Sequence, residues 1–279
     1  MCRLLAFASV TDTTIQSLLT PDEFENYRQL STLHGDGWGA AWWSATSGIH
    51  QLNSVRRAVD DEAFLDATRH EVVAAGIVHL RWATSGLAVC IENTHPFASP
   101  HWRFAHNGAI PGPERLLEHL SPERRAALAG TTDSEIYFQL ILHQAEVHGD
   151  IVRGLQEAVR LIRSTCGLGS LNCLLLSEGR MLAVQAFDET PAPVASLADS
   201  VGGADKLPEG HDENYYRLRY RVNEGSVVVA STGLGVDGWR ALGDDAIIDV
   251  DVAAGRARIL RLADAEVERT IDLRSAAVA

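Results

Sequence analysis

The order of its apolar runs restricts the fold of this chain more than any other feature. CRLLAFASV, GWGAAWWS, GIVHLRWAT and WRFAHNGAI come early, and SLNCLLLS, RMLAVQAF, SVVVAST and DAIIDVDV come late. Each is short, carries β-branched or aromatic residues and is punctuated by Gly, Asn or Asp, the pattern of strands. Between the two groups lie PERLLEHLSPERRAAL and the long DSEIYFQLILHQAEVHGDIVRGLQEAVRLIRS, whose apolar residues recur at helical spacing. Helices in the middle, strands on either side and no strict βαβ alternation predict an α+β fold with antiparallel sheets covered by helices. SEGR reads as a hairpin turn, and no internal repeat is visible. With 46% hydrophobic residues the chain can bury a sizeable core, and one domain over residues 2–279 is expected. SVGGADKLPEGHDEN (200–214), rich in Gly, Pro and charge, is expected to be a mobile loop within it.

Charge and cysteine usage exclude several classes of function. A formal charge of −13 and the lack of any Lys/Arg run argue against a nucleic-acid partner. The N-terminal apolar run has one basic residue before it and polar TDTT after it, which fits neither a secretory signal nor a membrane span. Cys2, Cys90, Cys166 and Cys173 form no CxxC pair and no zinc-finger spacing. A reduced, cytoplasmic chain with no membrane partner, structural zinc or cofactor is expected.

Residues of catalytic type gather in HGDGWG (34–39), HLRWATSG (79–86), ENTHPF (92–97) and AHNGAI (105–110), and GTTDSE (130–135) opens the long helix. Taken singly, each has a plain structural explanation. Thr132 and Glu135 have the spacing of a capping box, with Asp133 at the positive end of the helix. Asn107-Gly108 suits a type I′ hairpin turn. Arg81 beside Trp82 fits a surface cation–π contact, and His79, His95 and His106 fit satisfied core histidines. Gly233, Gly235 and Gly238 have the spacing of a dinucleotide loop, but the WRALGDDA that follows is too short for a pyrophosphate-binding helix. His34, Asp36, His79, His95 and His106 are of metal-ligand type, which keeps a metal-dependent hydrolase open. No HExxH is present, and no pair puts two ligands on one face.

Read together, MCRLLAF, HGDGWG, HLRWATSG, ENTHPFASPHWRFAHNGAI and GTTDSE resemble the class II glutamine amidotransferases in residue type, order and rough spacing. MCRLL with ENTHPF further resembles the stand-alone branch, which includes γ-glutamyl hydrolases such as the ergothioneine-pathway enzyme. The resemblance implies a four-layer αββα sandwich of the N-terminal nucleophile hydrolase type. It also gives Cys2 a role: with Met1 removed, the thiol is the nucleophile and its own α-amine the base. An unperturbed α-amine titrates near ~7.7–8.0, suited to accepting a proton at neutral pH.

The same resemblance assigns the oxyanion donors to the Asn107 side chain and the Gly108 amide. The fork of Arg81 suits the α-carboxylate of a γ-glutamyl group, and Asp133 suits its α-ammonium. Trp82 and Thr84 accompany Arg81, and Gly37 in HGDGWG lets a loop backbone come close to the site. Where larger amidotransferases carry RWATHG, this chain has Ser85. The implied reaction is hydrolysis of glutamine or a γ-glutamyl conjugate, a small-molecule substrate, through a thioester on Cys2. The 200–214 loop, with Tyr215, Tyr216 and Arg217 after it, is the candidate contact for the leaving group. The alternatives are a glutaminase subunit passing ammonia to a separate synthase, the metal-dependent hydrolase, and a non-catalytic γ-glutamyl-binding subunit.

Overall fold

Among the residues that the computed structural model describes, 2–84, 86–187 and 191–275, the apolar runs become fourteen strands in two seven-stranded sheets. Met1, whose removal the nucleophile reading requires, and Ser85 lie outside the described residues. The first sheet draws on β1 (Arg3–Thr13), β2 (Trp38–Ser44), β3 (Gly48–Ser54) and β4 (Val73–Leu80). The second begins with β5 (Phe97–Ala98), β6 (Arg103–Gly108), β7 (Leu171–Ser177) and β8 (Arg180–Gln185). The chain then returns to the first sheet for β9 (Leu218–Asn223), β10 (Ser226–Ser231) and β11 (Arg240–Ala241). It ends in the second with β12 (Ala246–Asp251), β13 (Arg256–Arg261) and β14 (Val267–Asp272). All the paired strands are antiparallel, and β1 is central, between β10 and β4.

Strand alternation sorts the core into layers. Leu4, Ala6 and Ala8 of β1 meet Leu174, Leu176 and Ala183 of the other sheet. Leu5 and Phe7 face the opposite way, toward Phe24 and Tyr27 of α1 (Pro21–Gln29) and Phe64 of α2 (Glu62–Leu65). The short α3 (Pro122–Ala126) precedes α4 (Asp133–His148) and α5 (Ile151–Cys166), which cover the outer face of the second sheet. These are the four layers, helix, sheet, sheet, helix. Among the described residues no helix is long and apolar enough to cross a membrane.

Several local expectations change. The long helical stretch breaks at Gly149, whose φ of +70° closes α4, while the Asp150 side chain caps α5 by accepting from Arg153 N (2.9 Å). Gly154 then lies against Ala145, where a Cβ would come within 2.5 Å of backbone, so the two helices pack closely only around a glycine. PERLLEHLSPERRAAL splits into a 3-10 run, Pro113–His119, and α3. The capping box at α4 is half formed: Thr132 accepts from Glu135 N, but the Glu135 carboxylate reaches back to the amides of Ala129 and Gly130 (both 2.8 Å). A complete box occurs instead at Thr20 and Glu23, around Pro21 at the start of α1.

Residues 200–214 are not a featureless loop. Positions 200 and 201 finish α6 (Val194–Val201), a 3-10 turn spans Ala204–Lys206, and His211 is buried. Asn107-Gly108 is the end of β6 rather than a turn, paired with Asn172 and Leu171 of β7.

Candidate active site

Cys2 stands at the entry to β1 and is buried between the sheets. Its backbone nitrogen donates to Asn107 Oδ1 (2.8 Å), a contact across 105 positions of sequence. Asn107 is fully buried, and its other amide end, Nδ2, has no partner among the described residues. An unpaired buried donor is costly, and this one belongs to the side chain that holds the Cys2 nitrogen, a donor of the kind a developing oxyanion uses. Gly108 follows, and a Cβ there would collide with the Ser170 carbonyl. No other residue fits without moving β7.

Cys2, Arg81, Trp82, Thr84, Gly108 and Asp133 line one small cavity of about 30 Å³, room for a water-sized occupant. Arg81 is buried, and among the described residues its guanidinium donates to carbonyls, those of Asp36 (3.4 Å) and Ala88 (3.1 Å). No carboxylate among the described residues pairs with it, so its charge is available to an anion. Asp133, the first residue of α4, accepts from Ile110 N (2.7 Å) and Ser134 N (2.8 Å), which fixes its carboxylate at the helix N-terminus.

Gly37 does not line the cavity. Its carbonyl accepts from Arg81 N (2.8 Å) and its φ is +123°, with Ser54 O only 2.6 Å from where a Cβ would be. HGDGWG thus braces the arginine from behind. Asp36 completes the brace by accepting from Ala83 N (2.7 Å).

The histidines separate into different environments. His106 donates from Nε2 to the Ser170 carbonyl (2.9 Å), which leaves Nδ1 to accept from Ser134 Oγ (2.9 Å). Burial holds it below the ordinary imidazole value although Asp133 pulls the other way. His34 pairs with His211, Nε2 to Nε2 at 3.0 Å. Burial, with Arg3 adding to it, pushes His211 down to about 3. His79 and His95 stack at 4.3 Å between centroids, with no hydrogen bond of good geometry to any ring nitrogen among the described residues. Burial and then His79 hold His95 well below its usual value. The metal-ligand set is therefore not assembled: among the described residues no three His, Cys, Asp or Glu side chains converge on one point.

His79 is the site neighbour that sequence reasoning missed. Burial on its own would raise the Cys2 thiol, but the adjacent His79, then the positive N-terminus and the Trp82 carbonyl, bring it down to about 6. The signal was present in the strand alternation. His79 pairs with Leu4 in register and shares its face of the sheet with Arg81, while Leu80 points into the helix-covered core. The proposed leaving-group residues lie elsewhere. Tyr215 and Tyr216 are buried behind Cys2, with Tyr215 Oη donating to the Cys2 carbonyl (3.4 Å), and Arg217 pairs with Asp244 at the surface.

Residues 1–195 match the family model described as glutamine amidotransferases class-II. A 141-residue stretch, half of this chain, is 33% identical to glutamine–fructose-6-phosphate aminotransferase (isomerizing) of Idiomarina loihiensis, covering 23% of that enzyme. The counterpart from Pseudomonas aeruginosa is 29% identical over 155 residues, 55% of this chain and 25% of that enzyme. The chain matches about a quarter of the length of these curated relatives. Among solved structures, a glutamine aminotransferase class-II domain protein from Silicibacter pomeroyi aligns with a TM-score of 0.57 at 18% identity, over 89% of this chain and 94% of that one. Glutamine phosphoribosylpyrophosphate amidotransferase of B. subtilis aligns at 0.61 and 16%, over 96% of this chain and 50% of that one. At these identities the likeness is one of fold.

Proposed function

From the premise that this chain belongs to the class II glutamine amidotransferases, we propose that it hydrolyses a γ-glutamyl amide to glutamate through a thioester on Cys2, in the manner of the family's stand-alone branch. The observation that carries the reading is the pairing of Cys2 with Asn107: Oδ1 holds the Cys2 nitrogen, and Nδ2 of the same buried side chain has no partner among the described residues. The histidine beside the thiol adds to it, because it favours the thiolate, which is the attacking species.

With Met1 removed, the Cys2 nitrogen becomes a free amine. The thiol proton passes to that amine, sulfur attacks the amide carbon, and the tetrahedral oxyanion receives hydrogen bonds from Asn107 Nδ2 and the Gly108 amide. On collapse the ammonium returns its proton to the departing nitrogen, which leaves as ammonia or an amine. The amine, again a free base, then takes a proton from water as the water attacks the thioester, and glutamate is released as the thiol is restored. Arg81, whose partners among the described residues are carbonyls, is suited to the substrate α-carboxylate, and Asp133 to its α-ammonium. The cavity admits little more than a water, so a glutamyl group requires it to widen.

The test is intact-mass analysis and peptide mapping after exposure to 6-diazo-5-oxo-L-norleucine. A single adduct on an N-terminal Cys2, prevented by L-glutamine or another γ-glutamyl compound, is the expected result. An unlabelled protein that retains Met1 overturns the reading. Glutamate release without a partner protein distinguishes hydrolysis from delivery of ammonia to a separate synthase.

A further inference from the structure

Arg3 is completely buried, and no carboxylate among the described residues forms an ion pair with it. Such a charge normally acquires a counter-ion or is excluded from the interior. Its contacts are all to uncharged groups. Nε donates to the Cys2 carbonyl (2.8 Å), Nη1 to Thr232 Oγ1 (3.1 Å), and the guanidinium carbon lies 3.6 Å from the centre of the Tyr215 ring. Nη2 has no partner among the described residues. Thr232 in turn donates to the Gly210 carbonyl (2.7 Å), and Tyr215 Oη shares the Cys2 carbonyl. Residues 210–215 and the first peptide of β1 are thus fastened together through one cation.

That cation faces away from the thiol. Arg3 lies on the side of β1 that carries Leu5, and Cys2 on the side that carries Leu4. It cannot touch the thiol's reaction partner, but only three bonds separate the carbonyl oxygen it grips from the Cys2 nitrogen, which places its charge within ~7 Å of that nitrogen. We propose that Arg3 is a positioning residue for the N-terminal nucleophile: it fixes the Cys2 peptide and, as an uncompensated buried cation, disfavours a second positive charge on the Cys2 α-amine. The effect matters because the proposed reaction, on which this inference rests, needs the amine as a free base twice, once for the thiol proton and once for water. His211 carries the same imprint, held neutral with Arg3 next after burial among the causes.

The other groups facing the amine are accounted for. On the thiol side are His79 of β4, Arg81 just beyond it, His95, His106 of β6 and Asp133 of α4, besides the thiol itself. On the far side are Tyr27 of α1, His211, Tyr215 and Tyr216. All of them remain in an Arg3 variant, so a change of pH profile reports the arginine.

The experiment compares kcat/KM for hydrolysis of L-glutamine from pH 5 to 10 in the whole chain, with thermal melts alongside, for wild type, Arg3→Met and Arg3→Lys. The acidic limb should move up by about one pH unit in Arg3→Met, with the rate at pH 7 several-fold lower and regained near pH 9. Arg3→Lys should keep the limb where the wild type has it. A limb unmoved in Arg3→Met, or a loss equal at every pH, overturns the proposal in favour of a purely structural arginine. Where Arg3→Met yields no folded protein, Arg3→Lys decides, and a displaced limb there overturns it. A folded wild type that releases no glutamate and takes no adduct on Cys2 fails earlier and differently, removing the reading and this inference together.

Discussion

Cys2 and Cys173 are both buried, yet their thiols are driven in opposite directions. Cys173 sits on the face of β7 covered by α4, among apolar residues, with Tyr137 Oη at 3.7 Å. Burial pushes it up to about 12. Cys2 is buried too, but the neighbouring His79, the positive N-terminus and the Trp82 carbonyl outweigh burial and bring it to about 6. The two asparagines of adjacent strands repeat the contrast. Asn172 is paired at both ends, Oδ1 with Ala186 N (2.7 Å) and Nδ2 with the Tyr216 carbonyl. Asn107, its neighbour across the β6–β7 pair, leaves Nδ2 unpaired. Burial alone therefore does not mark a functional group in this fold. At Cys2 burial comes together with an unpaired donor on Asn107 and a neighbouring imidazole that lowers the thiol, a combination that Cys173 and Asn172 lack.

The contrast can be broken by substitution. Cys2→Ala should abolish glutamate release, by on the order of 10⁶-fold, as loss of a nucleophile typically does. Cys173→Ala should leave the rate within about twofold and lower stability by ~1–2 kcal/mol through the small cavity it makes. Steady-state rates and thermal melts on the two proteins check this, and equal losses of rate in both would erase the distinction. Next in size, Asn107→Ala should lower kcat by ~10²–10³, the usual cost of one oxyanion donor. Asn172→Ala should lower stability by ~1–3 kcal/mol, since two buried backbone groups lose partners. A kcat loss of 10²-fold in Asn172→Ala that melting does not account for would put the second asparagine in the site as well.

The smallest effect is in the pH dependence of alkylation. For Cys2 the thiolate is present above pH 6 and is lost as pH falls through that value. Labelling by iodoacetamide should rise about tenfold from pH 5 to 7 and then level off. Cys173 should stay unlabelled throughout while the protein is folded. A Cys2 midpoint near 8.5 would mean that His79 and the positive N-terminus do not offset burial at the thiol.

Much of this architecture was legible in the sequence because it depends on neighbours along the chain. The strand runs, their alternation and the placement of helices between two strand groups specify an α+β chain, since each strand must bury its apolar face somewhere and the period decides which residues do so. The resemblance carried by MCRLL, HLRWATSG, HNG and GTTDSE pointed to the family, and the structure brings Cys2, Arg81, Thr84, Gly108 and Asp133 around one cavity with Asn107 bonded to the Cys2 nitrogen. Local signals also misled where two local outcomes compete. Asn107-Gly108 has the composition of a turn but lies in a strand because β7 offers it a full set of pairings, and Glu135 has the spacing of a capping box but finds two other amides within reach.

What the tertiary structure alone decided are the interactions between residues far apart in sequence. Nothing local indicates that Asn107 would hold the Cys2 nitrogen, that His79 would lower the thiol, or that Tyr215 would stack on Arg3. Each depends on the distance and dielectric between groups that meet only after the sheets have stacked. A sequence lists which charges and donors a chain owns, but the energy of a charge is set by what surrounds it once water is gone.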